Sequence, residues 1–175
     1  MKRFTKLLLL FTLVGVLAGG CELLKNSVKF DSDTYYYDFP INPTEAGTYD
    51  FDEKIITTGV TQLLEDNNVK SKKLKSARIV EIRAVIQSAH TFDILEEGEI
   101  WFKLSGSSAK VVAWWPSPIP AGSTDVALDA TSDDLKDFIL SDEFTIGGEG
   151  TLNSALTTQA LVRVWFTFEL EAKIL

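Results

Sequence analysis

From residue 158 onward the chain keeps a strict two-residue rhythm. Thr158, Ala160, Val162, Val164, Phe166, Phe168, Leu170, Ala172 and Ile174 alternate with Gln159, Arg163, Thr167, Glu169, Glu171 and Lys173. A period of two sends successive side chains to opposite faces, so this segment reads as a strand with one buried and one solvated face. Seventeen extended residues at about 3.3 Å each would span roughly 56 Å. A domain of about 155 residues has a radius of gyration near 15 Å and is about 40 Å across. The strand must therefore twist strongly, bulge, or serve two sheets. Long bent strands of this kind suit a mainly β chain folded as an antiparallel β-sandwich, immunoglobulin-like or jelly-roll-like.

The rest of the chain agrees with that expectation. Residues 72–87 form a second long alternating run, with Leu74, Val80, Ile82, Ala84 and Ile86 set against Lys75, Glu81, Arg83 and Gln87. Shorter strands are expected at 28–39, 48–51, 99–104, 110–115, 124–129 and 143–146. Pro40 and Pro43 should end the first, since neither donates to a ladder. Two short helices are expected. One covers 58–66 and is stopped by Asn67-Asn68; the other covers 132–140 and is opened by Thr131-Ser132-Asp133-Asp134 in capping-box style. Gly147-Gly148-Glu149-Gly150 reads as a flexible loop. No βαβ alternation or repeat appears, so residues 28–175 are expected to form one sandwich domain.

The N-terminus carries a different signal. Met1-Lys2-Arg3 and Lys6 precede an apolar run from Leu7 to Ala18, and Leu17-Ala18-Gly19-Gly20 leads into Cys21, the sole cysteine. An apolar run that short falls below the roughly 20 residues a membrane-crossing helix needs. The pattern matches a cleaved export signal over 1–20. A lone thiol has no disulfide partner, so Cys21 is expected to carry lipid, with 21–27 as a tether. Cleavage before Cys21 removes three basic residues and no acid, taking the formal charge from −8 to −11. Such a surface repels phosphates, which argues against nucleic acid as a partner. Cations, neutral glycans and basic protein patches remain open.

The lipobox resembles the relaxed ones of Bacteroidetes, since Leu17 stands four residues before Cys21 rather than three. That resemblance implies a diacylglyceryl group and stable anchoring. Glu22 is not the aspartate of inner-membrane retention, and Glu22-Leu23-Leu24-Lys25 lacks the acidic cluster of surface-exported lipoproteins. The outer membrane is expected, with its periplasmic face favoured over the cell surface. Residues 69–175 resemble a family of Bacteroidetes lipoproteins built as β-sandwiches, through "TFDILEEGEIWFKLSG", "VALDATSDDLKDFILSDEFTIGG" and "ALVRVWFTFELEAKIL". The resemblance implies fold and address, and it brings no function with it.

Residues that could carry chemistry are sparse. His90 is the single histidine, so any Ser-His-Asp arrangement must use it, and a transition-metal cluster of His and Cys is excluded. It is expected in a surface loop. Calcium takes oxygen ligands alone, which leaves Asp31, Asp33 and Asp38 as candidates, and Asp50-x-Asp52-Glu53 beside them. None completes an EF-hand pattern, so solvated strand-edge acids are the simpler reading. Glu97, Glu99, Glu169 and Glu171 could supply a glycosidase pair, although alternation alone explains Glu169 and Glu171. No catalytic residue and no cofactor are expected.

The tryptophans are more suggestive. Adjacent Trp114 and Trp115 must face opposite ways, and Trp101 and Trp165 fall on outward positions of their strands. Exposed aromatics anchor protein partners or stack sugars. The leading expectation is a non-enzymatic, membrane-anchored envelope lipoprotein that binds a protein partner or scaffolds an assembly. The alternatives are a glycan-binding module using Trp101, Trp114, Trp115 and Trp165, and a periplasmic hydrolase.

Overall fold

The computed structural model describes residues 27–173. The signal segment, Cys21 and the tether up to residue 26 lie outside the described residues. The chain is mainly β: two antiparallel five-stranded sheets packed as a sandwich, with two short helices.

The rhythmic C-terminal segment is β10 (Ala160–Lys173), the spine of the first sheet. Along one side β10 pairs with β4 (Leu74–Ile86). Along its other side β2 (Tyr35–Ile41) and β1 (Ser27–Asp31) lie end to end. The short β7 (Asp125–Ala127) closes this sheet beside β4. The second sheet runs in the order β3 (Gly47–Thr57), β9 (Glu143–Leu152), β5 (Leu95–Lys103), β6 (Lys110–Trp114) and β8 (Asp129–Ala130). Helix α1 (Val60–Asp66) follows β3, and α2 (Lys136–Ile139) precedes β9.

The length problem of the two long strands is solved by bulging. Between Thr167 and Phe168 the partner of β10 jumps from Glu81 to Ile79, so Val80 is an extra residue and stands more than half exposed. A second shift lies between Glu171 and Ala172. Bulges bend a strand and increase its twist. Both long strands remain within one sheet.

The inward residues of the two sheets meet in a single apolar cluster. Phe102 of β5 lies at its centre, with ring centroids 5.5 Å from Phe166 and 6.3 Å from Phe168 of β10. Phe39 of β2 meets Phe51 of β3 at 5.5 Å nearer one end. Tyr35 spans the layers differently: its hydroxyl donates to the Thr58 carbonyl ahead of α1, and burial pushes that hydroxyl up to about 12.

Several local expectations are corrected. The first strand is two, because Ser32 breaks the run: its backbone N–H donates to the Phe168 carbonyl, and its hydroxyl accepts from the Phe168 N–H. Pro40 lies inside β2 rather than ending it, which an edge strand with one hydrogen-bonded partner tolerates. Helix α2 starts later than its acidic opening suggests. The Asp134 carboxylate accepts from the Ala77 N–H at 2.9 Å and the Lys136 N–H at 3.0 Å, tying the segment to β4 before any helical turn forms. Residues 124–129 divide between β7 and β8, which belong to different sheets.

The glycine-rich stretch is the largest correction. Gly147, Gly148 and Gly150 lie in the middle of β9, a strand paired on both sides. A Cβ at Gly147 would stand 2.3 Å from the Trp101 ring, and one at Gly148 would stand 2.5 Å from the Glu99 carbonyl. These glycines let neighbouring strands and rings close over β9, so they serve packing rather than flexibility.

Candidate functional site

The outer face of the second sheet carries an unusual line of residues. Alternation along β9 turns Phe144, Ile146 and Leu152 inward and Glu149 outward. Glu149 stands opposite Asp50 of β3 on one side and Glu99 of β5 on the other. Glu99 stands opposite Trp114 of β6, and Trp114 opposite Asp129 of β8. Register partners share a face, so Asp50, Glu149, Glu99, Trp114 and Asp129 form one row across all five strands. Side chains directly opposite in an antiparallel pair have Cβ atoms about 5 Å apart, and like charges there repel.

Among the described residues, none of the four acids in the row meets a Lys, Arg or His. The outer face of the first sheet is the opposite case. There Lys29 pairs with Glu169 and Lys75 with Glu171, each at 2.8 Å, and Arg83 pairs with Asp125 at 2.6 Å. Arg163 grips both oxygens of Asp38 at 2.6 and 2.7 Å. The guanidinium holds the Asp38 carboxyl below the usual carboxylate range, and Lys75 does the same for Glu171. The first sheet's outer face is laced with ion pairs; on the second sheet Lys103 meets Glu53 at 3.8 Å, while the four acids of the row stay unpaired among the described residues.

A hollow of about 400 Å³ opens beside the acidic row, walled by Glu97, Glu99, Glu149, Trp114 and Trp115. Trp114 is 41% exposed and Trp115 only 5%. Trp115 packs against Phe51 and Phe92 of the core. Its indole Nε1 is buried and donates to no acceptor among the described residues.

The structure separates the four tryptophans. Trp101 lies down across Gly147, half-buried on the outer face of the second sheet. Trp165 is on the outer face of the other sheet, 5.5 Å from the Tyr36 ring, with the Arg163 guanidinium 4.6 Å from that ring and 5.5 Å from Trp165. A row of Trp101, Trp114 and Trp165 therefore does not exist. Trp115 is a core residue that also lines the hollow.

The acids are sorted with equal clarity. Of Asp31, Asp33 and Asp38, Asp38 is gripped by Arg163, and among the described residues no group of three or more His, Cys, Asp or Glu is placed so that it could hold a metal ion. Glu169 and Glu171 are on the first sheet and tied to lysines, while Glu97 and Glu99 are on the second, where both line the hollow. The His90 ring meets the Thr158 hydroxyl at 3.0 Å. Cys21 lies outside the described residues. Glu149 and Asp129 escape a reading of the sequence, and Asp50 enters it only with Asp52 and Glu53 as a calcium candidate. The alternation that turns Glu149 outward is visible in it, but the register that lines these acids up with Glu99 and Trp114 is not.

No family model matches the chain, and no curated protein matches it. Among solved structures it is similar to the acidic stable capsid structure of Helicobacter pylori bacteriophage KHP30, with TM-score 0.34 and 9% identity over 84% of this chain and 98% of that one. It is also similar to a carbohydrate-binding module of the β-sandwich superfamily, with TM-score 0.34 and 9% identity over 86% of this chain and 56% of that one. Desmodium yellow mottle tymovirus follows, with TM-score 0.27 and 12% identity over 81% of this chain and 82% of the other. Likeness at these scores says nothing about the chemistry of the acidic face.

Proposed function

We propose that this protein is a non-enzymatic, lipid-anchored lipoprotein of the outer membrane, of Bacteroidetes type, whose sandwich docks a protein partner on the outer face of the second sheet. The observation that carries this reading is the row Asp50–Glu149–Glu99–Trp114–Asp129. It sets like charges against one another, with no Lys, Arg or His paired to them among the described residues, around an exposed tryptophan. A row of that kind lowers stability by itself, and a partner of opposite charge relieves it. Exposed tryptophan is a frequent anchor at protein interfaces. The anchor holds the domain through Cys21, with the short tether fixing how far the docking face can reach.

Two measurements test this. Cys21→Ser should release the protein from the membrane fraction, and continued retention refutes the anchor. A photo-reactive side chain placed at Ser117, beside the hollow, should yield one adduct in intact envelopes that excess unlabelled protein competes away. The same group at Val80, on the opposite sheet, should not. Equal labelling at both positions, or none at Ser117, refutes the docking face.

A glycan is the second reading, and the Tyr36–Trp165 pair with Arg163 against it is the observation that favours it. Aromatic faces stack sugar rings, and a held guanidinium offers donors to their hydroxyls. Quenching of tryptophan fluorescence by a neutral oligosaccharide, abolished by Trp165→Ala, would favour it over the first.

A further inference from the structure

The acidic net charge hides a local exception. Between Lys70 and Arg78 five of nine residues are basic and none is acidic. Lys70, Lys72, Lys75 and Arg78 are exposed, and Lys73 is half-buried. Lys75 is paired with Glu171, whereas Lys70, Lys72, Lys73 and Arg78 form no ion pair among the described residues.

The place of this strip in the fold gives its charge a direction. Ser27, six residues beyond Cys21, stands opposite Lys173 at the end of β10, and Ala172 stands opposite Leu74 at the start of β4. The strip therefore lies at the end of the first sheet where the chain enters from the tether, with Lys173 at the same end. Six extended residues reach roughly 20 Å, so an anchor at Cys21 keeps this end near the bilayer. The start of β9 lies at this end too, since the Leu135 N–H ahead of α2 donates to the Ala77 carbonyl. Glu149 is six residues from that start and three from the far end of β9, so the acidic row stands toward the opposite end. Glu65, Asp66, Asp137, Asp142 and Glu143 share the tethered end, on the helices and the start of β9. The bare positive charge is thus confined to the corner of the first sheet.

We propose that the Lys70–Arg78 strip rests on anionic phospholipid headgroups of the membrane that holds Cys21, so that the sandwich stands with this corner down and its acidic row away from the bilayer. The inference rests on the anchor reading above and adds an orientation to it. Attraction between basic side chains and anionic headgroups fades within a Debye length, about 8 Å at physiological salt. A free chain of formal charge −11 is repelled before the strip comes that close. A tethered one is already delivered, and one lipid anchor with a basic patch is a sufficient pair of membrane signals.

The test uses the full lipidated chain in vesicles of phosphatidylcholine, with and without phosphatidylglycerol, each carrying a headgroup nitroxide. A fluorophore is attached at Ser71→Cys, beside the strip, or at Ser154→Cys, exposed just beyond the far end of β9. Quenching at Ser71 should exceed that at Ser154 when phosphatidylglycerol is present, and added salt should remove the difference. Each basic residue at an anionic surface is worth about fivefold in the ratio of docked to free domain. Lys70→Gln with Lys72→Gln should therefore return the Ser71 signal close to its phosphatidylcholine value; should that chain fail to fold, the salt series on the unaltered protein makes the same comparison. In intact envelopes, a photo-reactive side chain at Ser71 should label lipid. A discrete protein adduct there instead, or quenching at Ser71 that ignores phosphatidylglycerol, overturns the inference. If the chain stays on the vesicles with Ser71 no closer than Ser154, the anchor reading survives and the orientation falls. If the chain leaves the vesicles, both fall.

Discussion

At the scale of single residues, the contrast between the two outer faces makes the sharpest predictions. Glu149 lies between two like-charged register partners, so Glu149→Gln should raise stability by roughly 0.2–1 kcal/mol, read as a higher urea midpoint at low salt. The gain should shrink as salt screens the row. A fall in stability would mean that the row is offset within the fold. On the other face, Arg163 holds Asp38 below the ordinary carboxylate range through two hydrogen bonds. A carboxyl lowered on folding stabilises above its unfolded value, near 3.9, and that contribution fades as pH falls through the lowered folded value. Carbon-13 titration of Asp38 should therefore show a midpoint below that of a free aspartate, and Arg163→Ala should bring it back up. Asp38 is partly exposed, so the change in stability from that pair should be small.

At the scale of elements, β9 shows what local reading misses. Three glycines in four residues look like a loop, yet the inward–outward alternation runs through them from Phe144 to Leu152. What makes them a strand is contact from outside the segment: the Trp101 ring over Gly147, and the Phe51 and Ile100 side chains closing on Gly148. Gly148→Ala would place a methyl 2.5 Å from the Glu99 carbonyl and 2.7 Å from Phe51. Overpacking of that kind should cost about 1–3 kcal/mol, measured by thermal or urea unfolding. A neutral result would show that β5 can shift away from β9 freely. The start of α2 teaches the same lesson in reverse. Thr131 to Asp134 has the composition of a helix cap, but Asp134 is recruited by the Ala77 N–H of β4, a position 57 residues away in sequence. Propensity states what a segment can do, and tertiary partners choose among the options.

At the scale of the whole molecule, the sandwich is held by aromatic contact across its two layers. Phe102 touches Phe138 and Phe144 of its own layer's surroundings, and Phe166 and Phe168 of the facing sheet. Truncating it should cost about 3–5 kcal/mol, as for other buried aromatics. Because it joins both sheets, Phe102→Ala should lower their unfolding midpoints together, seen as coincident loss of far- and near-ultraviolet circular dichroism. Separate transitions would mean that the sheets are stable independently. The sequence alone determined that the chain is mainly β, that β4 and β10 are its longest strands, and which residues of β10 face inward, because a two-residue period is a local property of the backbone. On β4 the same rhythm put Val80 inward, where the bulge turns it out and leaves Ala77 and Ile79 buried instead. It also determined that adjacent Trp114 and Trp115 must part company. Which strands lie side by side was decided only by the tertiary structure. Register couples residues scores of positions apart, through packing that no local pattern encodes. For that reason the division of β7 and β8 between the sheets, the strand made of glycines, and the acidic row around Trp114 came into view only in the folded molecule.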